Sequence, residues 1–172
     1  MELKQMYCPF PGDANLIAAC ERVIKAHNSK HILDQFKKDV LTPGDKVLKN
    51  MSMFQQLYIV AHGAPGSGSV YSDSNVALSM ADLAKQLKEQ GLTSRIRKVK
   101  LYACQGGSNG QNATANQLKA AMLTQGFTSV STYGYTMDLA QGALTDDGGK
   151  VAYPYADRDD DPVSAKSVRV KF

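Results

Sequence analysis

Two residues stand out for the chemistry their types permit. His62 follows an apolar block, Leu57-Tyr58-Ile59-Val60-Ala61, and Cys104 follows a second, Val99-Lys100-Leu101-Tyr102-Ala103. Small residues come next in both places: Gly63 after the histidine, and Gln105-Gly106-Gly107 after the cysteine. An imidazole moves protons near neutral pH, and a thiol, once ionised, is a strong nucleophile. Such a pair suits acyl transfer, with backbone N–H groups beside it placed to face a developing oxyanion. The other cysteines keep different company. Cys8 precedes Pro9, and Cys20 sits among Leu16, Ile17, Ala18, Ala19 and Val23, where a thiol behaves as a small core hydrophobe. Three cysteines without a C-x-x-C spacing argue against a disulfide framework or structural zinc and favour a reducing compartment.

The elements that must position this pair read as alternating strands and helices. Asp13 is the expected N-cap of a helix running to about Asn28, with Leu16, Ile17, Cys20, Val23, Ile24 and His27 on one side. Thr42-Pro43-Gly44-Asp45 marks a turn. Leu57–Ala61 has the continuous apolar character of a strand covered on both faces. A glycine-rich loop from Gly63 to Gly68 precedes a helix from Ser79 to Gln90, where Ser79 and Asp82 resemble a capping box and Gly91 stops the run. A strand over Val99–Ala103, a loop from Gly106 to Gly110, a helix from Gln111 to Thr124 ending at Gly126, and a strand over Ser129–Tyr135 complete the series. This order predicts parallel strands joined by right-handed crossovers. His62 and Cys104 then emerge at the carboxyl ends of strands, the edge where open α/β sheets bind ligands. Neighbouring strands lie ~4.8 Å apart, within working range for a proton donor and a nucleophile. Beyond residue 138, Asp146-Asp147-Gly148-Gly149 reads as a hairpin turn, and Val168, Val170 and Phe172 alternate with Arg169 and Lys171 as a final strand. The expected fold is one α/β domain over residues 1–172: a three-layer α/β/α sandwich, mostly parallel, with an antiparallel C-terminal extension.

A hydrophobic block ending in His62-Gly63, an intervening helix, and a second block ending in Ala103-Cys104 resemble the cysteine peptidases of clan CD. That group holds the caspases, legumain, gingipain, clostripain and the self-processing protease domain of large bacterial RTX toxins. The likeness covers roughly residues 55 to 135, and Tyr58-Ile59-Val60-Ala61-His62-Gly63 is most similar to the toxin-type members. The resemblance implies a caspase-haemoglobinase-like sheet in a bacterial effector or toxin-related endopeptidase, acting in the cytoplasm or delivered into a host cytosol. Cys104 would attack the scissile carbonyl, His62 would protonate the leaving amine, and the N–H groups of Gly63 and Cys104 would hold the oxyanion. Members of the clan generally work without a third catalytic side chain. Ala103, Gln105 and Tyr135 are candidates to line the substrate groove. Toxin-type members are activated by inositol hexakisphosphate in a basic pocket; Arg95 and Lys98 near one strand and Lys166 and Arg169 near another are candidates for such a pocket. No other cofactor and no metal are expected. The alternative is an inactive module of the same fold that binds a peptide or protein partner.

Several nearer-hand motifs fail on chemistry. Gly63-Ala64-Pro65-Gly66-Ser67-Gly68-Ser69-Val70 has the glycine spacing of a phosphate loop, but Ser69 stands where its lysine belongs. Gly106-Gly107-Ser108-Asn109-Gly110 fits the nucleophile elbow of α/β hydrolases, yet all three histidines precede Ser108, against the order that mechanism needs. His27 and His31 share a helical spacing, but without a third ligand nearby they read as a solvated helix end. Asp157, Asp159, Asp160 and Asp161 read as a solvated loop without the glycine and glutamate of a calcium loop. Lys100 with Arg95, Arg97 and Lys98, and Lys166 with Arg169 and Lys171, also fit a charged edge strand that resists aggregation.

Composition bounds the rest. The 172 residues, 43% apolar and 21% charged, suit a globular chain rather than a disordered or fibrous one. Twenty Lys and Arg against sixteen Asp and Glu make too mild an excess for a nucleic-acid binder. No apolar run approaches the ~18 residues of a membrane span, and none of signal-peptide type follows Met1.

Overall fold

A computed structural model of the chain describes residues 3–144, 150–153 and 163–172. Its centre is a six-stranded sheet. Five strands are parallel: β1 (Lys4–Tyr7), β2 (Phe36–Leu41), β3 (Gln56–Val60), β6 (Lys98–Tyr102) and β7 (Ser131–Tyr135). A short antiparallel strand, β11 (Arg169–Lys171), closes the edge beyond β7. The order across the sheet is β11-β7-β6-β3-β1-β2. Strands β4 (Ser69–Tyr71) and β5 (Ala77–Ser79) form a hairpin after β3, and β8 (Asp138–Leu144), β9 (Lys150–Tyr153) and β10 (Val163–Ser164) form a separate antiparallel sheet. The hairpin turn at 146–149 and the acidic run at 157–161 lie outside the described residues.

The crossover helices follow from local chemistry. Helix α1 (Ala14–Lys30) starts where Leu16 N–H donates to the Asp13 carboxylate at 3.1 Å, and it buries Leu16, Cys20, Val23, Ile24 and His27 at helical spacing. Helix α2 (Met80–Glu89) is capped by Ser79, whose Oγ accepts from Asp82 N–H at 3.1 Å and donates to the Asp82 carboxylate at 2.6 Å. Gly91, at φ +84, ends it in the left-handed conformation that glycine tolerates. Helix α3 (Thr114–Thr124) follows a single 3₁₀ turn and packs on β7, where Thr132 Oγ1 donates to Ala115 O at 2.7 Å. One continuous hydrophobic cluster runs from Met6 on β1 to Ala165 after β10.

Two strands have no counterpart in the apolar pattern. In β1, Lys4 and Gln5 are buried polar residues: Lys4 pairs with Asp34, and Gln5 Nε2 donates to Asp39 O at 2.7 Å. Strand β2 reads Phe-Lys-Lys-Asp-Val-Leu, and only Phe36 is fully buried. The strand before Cys104 also ends one residue earlier than expected, at Tyr102, so Ala103 and Cys104 already belong to the loop.

Candidate functional site

Strands β3 and β6 are direct neighbours, and their register pairs Val60 with Tyr102. Two residues further along each chain stand His62 and Cys104. The parallel contact persists past the strand ends, since Ala61 N–H donates to Tyr102 O at 3.4 Å. Next comes a backbone crossing that only glycine permits. A Cβ at Gly63 would lie 2.5 Å from Cys104 O, 3.0 Å from Ala103 Cβ and 3.3 Å from Cys104 N. The main chains of Gly63 and Cys104 therefore touch.

His62 is fixed from the other side by the hairpin. Its N–H donates to Tyr71 O at 2.9 Å, and Tyr71 N–H donates back to His62 O at 3.0 Å. This bridge carries the chain on to Asp73, whose Oδ1 lies 3.3 Å from His62 Nε2. Asn15 Nδ2 donates to the other Asp73 oxygen, and Asp73 N–H donates to Asp13 Oδ2 at 2.7 Å. The Asn15 hydrogen bond above all, opposed by desolvation and helped by the weaker hydrogen bond and charge of His62, holds the Asp73 carboxyl below the usual carboxylate range. A cavity of about 450 Å³ opens here, lined among others by Phe10, Pro11, Asp13, Asn15, Asp73 and Val76.

Cys104 is half-buried, and its sulfur accepts a hydrogen bond from Leu139 N–H at 3.3 Å. Gln105 follows at φ +50, a left-handed backbone that a non-glycine residue holds only when its surroundings impose it. Here they do: Gln105 N–H donates to Met137 O at 3.1 Å, and its Nε2 donates to Asp138 Oδ1 at 3.0 Å. The other thiols are sealed, Cys8 at 0% and Cys20 at 1% exposure. Burial pushes the Cys8 thiol up and that of Cys20 up to about 12, so both stay protonated at neutral pH.

The remaining candidate residues scatter. Ala103 and Tyr135 are each 2% exposed, so neither side chain opens beside the cysteine. Ala103 lies against Gly63, and the Tyr135 ring meets Tyr102 edge-on with centroids 5.6 Å apart. Gln105 is buried and spent on Asp138. Lys166 and Arg169 do converge, on a separate cavity of about 390 Å³ that also takes in Lys4, Lys100, Gln56 and Tyr135. Arg95 and Lys98, at the opposite end of β6 from Cys104, are not in its lining. Strand β6 is interior, so an edge-strand role for its charges is excluded. Lys100 is instead buried, its Nζ donating to Tyr58 OH at 2.7 Å. His27 is likewise not solvated: it is 6% exposed, stacks on His31 at 4.2 Å, and lies 2.7 Å from Asp34 O. Among the described residues no three His, Cys, Asp or Glu side chains gather as metal ligands. No helix there is long and apolar enough to cross a membrane.

Asp73 escaped the sequence pattern. Residues 70–74 read as strand and turn, but nothing in their spacing says that this hairpin folds back onto His62.

Fold and site define a mixed α/β domain whose parallel sheet delivers a histidine and a cysteine to one edge. The chain belongs to the family described as a domain of unknown function, DUF8616, whose pattern matches residues 32–145, a stretch that contains both His62 and Cys104. None of the curated proteins compared with it matches the chain.

Proposed function

We propose that this protein is a cysteine endopeptidase of the clan CD type. Cys104 as thiolate attacks the scissile carbonyl, and His62 gives its proton to the leaving amine. Water then hydrolyses the thioester, returning the acid product and the free thiol. The Gly63 and Cys104 N–H groups stabilise the tetrahedral oxyanion. The observation that carries this reading is the β3–β6 register, with His62 level with Cys104 and the Gly63 backbone against that of Cys104. The sheet then belongs to a three-layer sandwich. The chain steps from β1 to β2 in one direction and through β3, β6 and β7 in the other. Right-handed crossovers would accordingly put α1 on one face and α2 and α3 on the opposite face.

An activator is part of the proposal. The cavity holding Lys4, Lys100, Lys166 and Arg169 suits a polyphosphate such as inositol hexakisphosphate.

The test is hydrolysis of unfolded casein with and without inositol hexakisphosphate. Cys104→Ala should abolish cleavage while leaving the thermal unfolding midpoint within a few degrees of the native value. Iodoacetamide should label Cys104 in the native protein well before Cys8 and Cys20. Equal labelling of the three thiols, or cleavage undiminished by Cys104→Ala, overturns the assignment. Peptide binding without turnover would make the protein a recognition module instead.

A further inference from the structure

We infer that Asp73 is a positioning residue for His62, holding the imidazole as its Nε2–H tautomer so that Nδ1 is left to exchange a proton with the Cys104 side of the site. The inference rests on the Cys104–His62 reading above and adds a third member to it from an element with no apolar signature. Asp73 Oδ1 lies 3.3 Å from His62 Nε2, and a carboxylate can only accept there, so the ring nitrogen it faces is the protonated one.

The carboxylate is itself placed rather than drifting. Its second oxygen accepts from Asn15 Nδ2, and its main-chain N–H donates to Asp13 Oδ2 at 2.7 Å. Asp13 is tied to α1 as its N-cap. The turn that carries Asp73 is closed by buried Ser72, whose Oγ accepts from Val76 N–H at 3.0 Å and whose N–H donates to Val76 O at 3.0 Å. The paired hydrogen bonds between His62 and Tyr71 fix the end of the hairpin's first strand on the histidine's own backbone. Ring and carboxylate are thus anchored by two independent routes, one through β4 and one through the start of α1. Between groups 36% and 47% exposed, the contact adds little stability. Its effect is orientation, since a wrong tautomer presents a proton where an acceptor is needed.

Two measurements test this. Two-bond proton–nitrogen correlation spectra, with His62 assigned by its loss in His62→Gln, should show only the Nε2–H form in the native protein. Both tautomers should appear in Asp73→Ala, and the Nε2–H form should be largely kept in Asp73→Asn, whose amide oxygen still accepts. In casein hydrolysis, Asp73→Ala should lower kcat about 10- to 100-fold with KM within about twofold, and Asp73→Asn should recover part of that loss. A native spectrum of mixed tautomers, a ratio untouched by Asp73→Ala, or a fall confined to KM overturns the inference. If Cys104→Ala proves as active as the native protein, the peptidase reading falls alone, because the spectra decide the Asp73–His62 relation without reference to turnover.

Discussion

At the scale of the residue, the site depends on which atoms are allowed to approach. Gly63 shows this most sharply, because any side chain there would press into Cys104 O and Ala103 Cβ. Gly63→Ala should destabilise the fold by about 1–3 kcal/mol, the usual cost of overpacking, and should reduce hydrolysis more than the stability loss explains. Urea unfolding read against residual activity checks both halves. The placement of His62 and Cys104 past neighbouring strands was legible in the sequence because each follows a mainly apolar run, unbroken before His62 and interrupted only by Lys100 before Cys104. Asp73 was not legible. Its value comes from a hairpin folding back, and hydrogen bonds between main-chain atoms leave no trace in residue type.

Elements differ in how plainly they announce themselves. The three helices carry caps and stops that are written in single residues, Asp13, Ser79, Gly91 and Gly126, and they lie within a few residues of expectation. Strands β1 and β2 were hidden by polar residues whose partners come from elsewhere in the chain, such as Asp34 for Lys4. The loop after Cys104 is anchored by a contact between two backbones: a Cβ on Gly107 would lie 2.7 Å from Gly134 C, and one on Gly134 would lie 2.5 Å from Gly107 N. Glycine-glycine proximity of this kind has no hydropathic signal. Asp13 joins two elements, capping α1 and receiving the N–H of Asp73. Asp13→Ala should therefore cost about 1 kcal/mol as a lost cap. It should also mimic a mild form of Asp73→Ala in kcat, whereas a cap elsewhere, Ser79→Ala, should lower stability alone. Denaturation midpoints and rates on the same samples separate the two.

For the molecule as a whole, buried cations are the main electrostatic feature. Lys4 and Lys100 are 5% and 6% exposed, the first paired with Asp34 and the second bonded to Tyr58 OH. Partial burial raises the Asp34 carboxyl, but the Lys4 hydrogen bond and charge outweigh it, so the net shift is downward. A lowered folded-state value means stability that is present above the unfolded carboxylate range, near pH 4, and lost as pH falls through the folded value. Asp34→Asn should thus weaken the protein at pH 7 by about 1 kcal/mol and make little difference near pH 2, a contrast that unfolding curves at the two pH values would expose. The small antiparallel sheet meets the Cys104 loop through its first strand, where Leu139 N–H donates to the Cys104 sulfur and Asp138 Oδ1 accepts from Gln105 Nε2. Lifting that sheet's first strand would strip the sulfur of a donor and admit solvent in the same movement. Deuterium uptake at the Leu139 amide and labelling of the thiol would then keep common time, making the Cys104 sulfur a built-in gauge of how firmly its neighbour is seated.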